Sequence, residues 1–135
     1  MNYLAIDYGT RKIGIAINVE NIAVPVCILT NKKGILSELA KIITERKIDK
    51  IIIGIANHVD GTESLHTKKI KSFTGVLKKE FGLEVIFHDE RFTSFEAKTS
   101  MSETGEKDFD STKLDDIAAC IILQSFLDKN SQNTL

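Results

Sequence analysis

Tyr3-Leu4-Ala5-Ile6 is an apolar run that ends at Asp7 and the turn-forming Tyr8-Gly9-Thr10, the pattern of a short strand meeting a turn. Ile13, Ile15 and Ile17 then alternate with Gly14, Ala16 and Asn18. This period of two predicts a strand with three isoleucines on one face and small residues on the other. A third run, Ile22 to Leu29, completes an antiparallel meander, and Pro25 marks it as an edge strand because proline lacks a backbone donor. From Gly34 the spacing turns helical, with Leu36, Leu39, Ala40 and Ile43 on one side and Glu38, Lys41 and Glu45 elsewhere. Lys50 leads into Ile51 to Ile55, the continuous apolar run of a strand buried on both faces. A polar loop from Asn57 to Ser64 follows, with Asp60-Gly61 as its turn. Ile70, Phe73, Leu77 and Phe81 predict a second helix, and Glu84 to His88 a fifth strand ending in Asp89-Glu90-Arg91. Thr93-Ser94-Phe95-Glu96 has the form of a capping box and predicts another helix. Ser100 to Thr112 reads as a polar, acidic loop, and a strongly apolar helix runs from about Thr112 to about Asp128.

Three strands in a meander, followed by strands alternating with helices, imply an α/β domain. Its five-stranded sheet is mixed, with the antiparallel meander joined to parallel strands and helices on both faces. Right-handed crossovers are expected. The reading is one domain over residues 1–128 and a flexible tail over 129–135. The chain has 135 residues, 42% hydrophobic and 27% charged, which is enough for a core without metal or disulfide staples. No apolar run approaches the roughly 20 residues of a membrane span. Asn2 and Asp7 interrupt the apolar start, so no leader peptide is expected. Cys27 and Cys120 form no metal-binding spacing and read as buried free thiols of a cytoplasmic protein. Lys and Arg number 18 against 19 Asp and Glu, so nucleic-acid binding would need a local positive face rather than an overall one.

Three carboxylates occupy unusual places. Asp7 ends an apolar strand, Glu90 follows another at the end where α/β sheets place ligands, and Asp115 starts an apolar helix. If the fold brings them together, their repulsion calls for a cation, and hard oxygen donors suit Mg²⁺ or Mn²⁺. Such clusters host two-metal phosphodiester hydrolysis. Each acid also has a plainer role open to it. Asp7 can be a turn former, Glu90 an exposed loop acid beside Asp89, and Asp115 part of the capping box Thr112-Lys113-Leu114-Asp115. Asp116 reads as a helix-start acid. His58, His66 and His88 lack metal-ligand spacing, and neither a Walker A sequence nor a G-x-S-x-G elbow is present. Lys68, Lys69, Lys71, Lys78 and Lys79 crowd the second helix, either as a solvated face or as a binding surface.

Four segments together are more specific than any one of them. Asp7-Tyr8-Gly9-Thr10-Arg11-Lys12-Ile13-Gly14-Ile15-Ala16 resembles the opening motif of the YqgF family, the RuvX-type Holliday junction resolvases also described as pre-16S rRNA nucleases. Gly54-Ile55 with Asp60-Gly61-Thr62-Glu63, Asp89-Glu90-Arg91-Phe92-Thr93-Ser94, and Lys113-Leu114-Asp115-Asp116-Ile117-Ala118-Ala119 resemble its later motifs in order. The chain departs from the pattern in having Arg11-Lys12 in reversed order, Ala56 where proline is usual, and a short acidic segment before the last helix.

The resemblance implies an RNase H-like fold and a metal-dependent endonuclease acting on structured RNA in ribosomal RNA maturation. It places the acids on Asp7, Glu90 and Asp115, with Asp7 bridging two Mg²⁺ (or Mn²⁺) ions and the other two holding one each. Arg11, Lys12, Arg91 and Lys113 become candidate phosphate contacts. Two alternatives stay open: resolution of branched DNA, which requires a symmetric dimer rather than a monomer, and a non-catalytic nucleic-acid-binding module of the same fold.

Overall fold

The structure, a computed structural model, describes residues 1–55, 64–89 and 111–132; in the last stretch it describes side chains from Ile117 to Asn130. In chain order the elements are β1 (Tyr3–Tyr8), β2 (Lys12–Val19), β3 (Ile22–Thr30), α1 (Ile35–Glu45), β4 (Lys50–Ile55), α2 (Leu65–Phe81), β5 (Glu84–Asp89) and α3 (Ser111–Gln132). The helix expected from Thr93, and most of the acidic loop after it, lie outside the described residues.

The five strands form one sheet in the order β3-β2-β1-β4-β5. β1 and β2, and β2 and β3, pair antiparallel, while β4 pairs parallel to both β1 and β5. Pro25 does sit in an edge strand, and the register slips beside it: Ile15 pairs with Cys27 but Ala16 with Pro25. A missing N–H costs little on an edge, and a bulge absorbs the irregularity.

The alternation in β2 sorts the two faces. Ile13, Ile15 and Ile17 join Leu4, Ile6, Ile51 and Ile53 in the core under α1 and α2. Ala5, Ala16 and Ile52 face α3, which buries Ala119, Ile122, Leu123, Phe126 and Leu127 against them. Helices thus cover both faces. On the α3 side, Ala5, Ala16 and Ala119 are all fully buried, and three small side chains let helix and sheet approach closely. Enlarging one of them should push the helix off the sheet. Ala119→Leu is expected to destabilise the protein by about 1–3 kcal/mol, read as a lower urea midpoint with an unchanged slope.

Local signals set the helix ends. The Ser64 hydroxyl accepts the Thr67 N–H at 3.0 Å to cap α2, and Gly82, left-handed at φ 65°, closes it. α3 runs past the expected stop at Asp128 to Gln132, so the first four residues of the expected tail are helical. No glycine or proline occurs there to stop it, and Lys129 in the last turn complements the helix dipole. Cys27 and Cys120 are free thiols, but half-buried rather than buried. Cys27 lies in the edge strand, with no strand beyond it among the described residues, and Cys120 flanks the apolar stripe of α3 and donates to the Ala23 carbonyl at 3.2 Å. Partial burial raises both thiols above their ordinary pKa, with Glu38 adding to the effect at Cys27. Among the described residues no helix is long and apolar enough to cross a membrane.

Candidate active site

Asp7 is the first polar side chain on the α3 face of β1, after Tyr3 and Ala5, which pack against the core beneath that helix. It is half-buried and lines a cavity of about 340 Å³ with Gly9, Thr10, Arg11, Lys12 and Gly14. Arg11 and Lys12 are exposed, so a carboxylate and two cations share one opening at the β1–β2 turn.

The turn is held from outside its own sequence. Asn31 donates its side-chain amide to the Gly9 carbonyl and its backbone N–H to the Arg11 carbonyl, both at 2.8 Å. Gly9 is required there on steric grounds, because a Cβ at this position would stand 2.4 Å from the Lys12 carbonyl oxygen. Sequence reasoning missed Asn31. An asparagine between a strand and Lys32-Lys33-Gly34 is an ordinary loop residue, and its partners lie some twenty positions upstream.

The parallel strands bring a second segment to the same end of the sheet. Ile6 pairs with Ile53, and Ile53 with Phe87, so Asp7 and His88 stand level one residue further on. His88 is buried on the α3 side, with its Nε2 2.9 Å from the Ser125 hydroxyl and its ring edge-on to Phe126. Asp89 belongs to the opposite alternation, that of Val85. Glu90 and Arg91, the next residues of the chain, lie outside the described residues.

The course of α3 relates its first turns to Asp7. Phe126 stacks edge-on against Tyr3 at 5.2 Å, and Leu127 and Asn130 lie beside Met1 and Asn2, at the start of β1. The helix therefore runs antiparallel to β1, with its N-terminal turns toward the end that carries Asp7. Position 115 is eleven residues before Phe126, about 16 Å of helix, and Asp7 is four residues after Tyr3, about 13 Å of strand. Lys113 lies in the same first turns, where side chains are outside those described.

Asp7 is a hard oxygen donor of the kind Mg²⁺ and Mn²⁺ take. Among the described residues no three His, Cys, Asp or Glu side chains come together as a metal site. Of the three acids the sequence singles out, Asp7 alone has a described side chain.

An open mixed sheet of this order, with an acid at the end of its first strand and a last helix running antiparallel to that strand, defines an RNase H-like domain. Solved structures of the same fold include RuvC from Thermus thermophilus, with a TM-score of 0.60 at 12% identity over 97% of each chain. The fowlpox virus resolvase bound to Holliday junction DNA has a TM-score of 0.57 at 21% identity, covering 96% of this chain and 99% of that one. The family model described as "RuvX: Holliday junction resolvase" matches residues 1–129. A relative from Agathobacter rectalis is 36% identical over 95% of both chains, and one from Nitrosospira multiformis is 35% identical over 97% of this chain and 90% of its own. Both carry the name "Putative pre-16S rRNA nuclease". The chain belongs to the RuvX (YqgF) family.

Proposed function

We propose that this protein is a hydrolase of nucleic acid, a metal-dependent endonuclease that cuts structured RNA during maturation of the 5′ end of 16S rRNA in the cytoplasm. The observation that carries the reading is the cavity in which Asp7, on the α3 face at the end of β1, opens beside Arg11 and Lys12. The family and the names of its members support the substrate class. Asp7, Glu90 and Asp115 would hold the metal. Two Mg²⁺ ions, when bound, lower the pKa of the attacking water and stabilise the leaving 3′ oxygen. Arg11 and Lys12, with Arg91 and Lys113, hold backbone phosphates and thereby position the scissile bond without reading sequence. Asn31 acts at one remove, by fixing the turn on which Arg11 and Lys12 stand.

Branched DNA is the second reading, favoured by the family's description and by the junction-bound resolvase of the same fold. It requires a symmetric homodimer, because two strands are cut in concert. A cleavage panel of single-stranded RNA, duplex RNA carrying single-stranded flanks, and four-way DNA, each in Mg²⁺ and in EDTA, tests the proposal. The flanked RNA is expected to be cut in Mg²⁺ and left intact in EDTA. Asp115→Asn should abolish the cut and Asp116→Asn should keep most of it. Cleavage of the junction alone, by a dimer, moves the substrate to DNA. Cutting that survives both EDTA and Asp115→Asn overturns the metal assignment.

A further inference from the structure

A second groove lies across the β1–β2 turn from Asp7, on the α2 side of the sheet, with a volume of about 610 Å³. Leu65, Lys69, Ser72 and Val76 recur at four, three and four residues and form one stripe of α2 along it, with Lys68 at its flank. Tyr8 and Phe73, half-buried with ring centroids 4.9 Å apart, lie beneath. Leu65 and Val76 are 71% and 47% exposed, although each begins or continues a stripe that packing could have covered. Among the described residues neither Lys68 nor Lys69 has an ion-pair partner. Thr10 lines both this groove and the Asp7 cavity. The surface is therefore continuous from the carboxylate, over the turn, to the two lysines.

Two ammonium groups beside an apolar and aromatic wall match the two parts of an unpaired nucleic-acid strand. Lysines take its phosphates, and apolar faces take its unstacked bases. A duplex fits less well, since its bases are stacked inside and it would offer Leu65 and Val76 only charged backbone. We infer that this groove binds a single-stranded flank of the substrate and leads it to the site at Asp7. The inference rests on the nuclease reading and adds to it the strand form that the enzyme grips next to the cut.

The test is equilibrium binding in EDTA, read by fluorescence anisotropy. The probes are a labelled RNA duplex with a single-stranded extension and the same duplex blunt-ended, each over a salt series. Lys68→Gln/Lys69→Gln is compared with Lys41→Gln/Lys78→Gln, which removes the same charge from exposed positions outside the groove. The parent should prefer the extended probe. The Lys68/Lys69 variant should bind that probe about ten- to thirty-fold more weakly near 0.1 M salt, with a log–log salt slope shallower by about 1.4. Its binding to the blunt probe, and both affinities of the control variant, should change little. Equal weakening by the two double variants overturns the groove, and so does equal weakening of both probes by Lys68→Gln/Lys69→Gln. A parent that binds neither probe overturns the nuclease reading together with the groove, which separates the two failures.

Discussion

Asp7→Asn is expected to lower Mg²⁺-dependent cleavage by at least about 10²–10³-fold, the scale of losing one group that meets developing charge in a transition state. The fold should survive. Asp7 stands at the end of β1, beyond the fully buried Leu4, Ala5 and Ile6, and its ladder partner in β2 is Gly14, whose pairing uses backbone groups alone. The substitution keeps the side chain's shape and removes its charge, so any cation held there loses a ligand charge while the packing beneath is untouched. Single-turnover cleavage, with circular dichroism and a urea titration on the same sample, separates lost chemistry from lost structure. A variant that cuts at the parental rate would place the activity elsewhere.

Gly9→Ala should be nearly as damaging, through geometry rather than charge. The added methyl would lie 2.4 Å from the Lys12 carbonyl oxygen, closer than real Cβ contacts come, and backbone on both sides must move to relieve it. The Gly9 carbonyl is also the acceptor for Asn31, so the shift breaks or bends the clamp that fixes Arg11. Displacement of catalytic groups by about 1 Å can cost roughly 10² in rate, and a loss of that order is expected. Phosphate contacts should weaken in parallel, so binding measured in EDTA should fall as well. Asp7→Asn should leave such binding largely intact. Gly9→Ala with full activity and full binding would show that the turn relaxes without moving its side chains.

Much of the fold was legible because its signals are local. An apolar run interrupted by Asp7, an alternation of isoleucine with small residues, and a lone proline each report on the few residues around them. The sheet uses β1, β2 and β3 as those patterns imply. The small residues of β2 had a meaning that the pattern did not disclose: Ala16 meets Ala5 and Ala119, and the close approach of α3 depends on all three. The burial expected for Cys27 and Cys120 failed for a related reason. An apolar neighbourhood along the chain does not say whether another layer covers it, and among the described residues β3 has no strand outside it.

Asp7 stands out in the sequence alone, because an ionisable group at the end of an apolar strand is costly to place without a purpose. Asp115 stands out at the start of an apolar helix, but that place suits a helix-start acid just as well. Which polar groups of α3 meet the sheet follows from long-range packing, in which Ser125 is set against His88 and Cys120 against Ala23. The grip of Asn31 on Gly9 and Arg11, the cavity that joins Asp7 to Arg11 and Lys12, and the Lys68–Lys69 groove meeting at Thr10 are likewise contacts between distant segments. Hydrophobic periodicity records which face of an element avoids water, because burial acts on each residue wherever its partner comes from. It carries no record of which polar groups become neighbours, because that depends on how strands are ordered and how helices cross them.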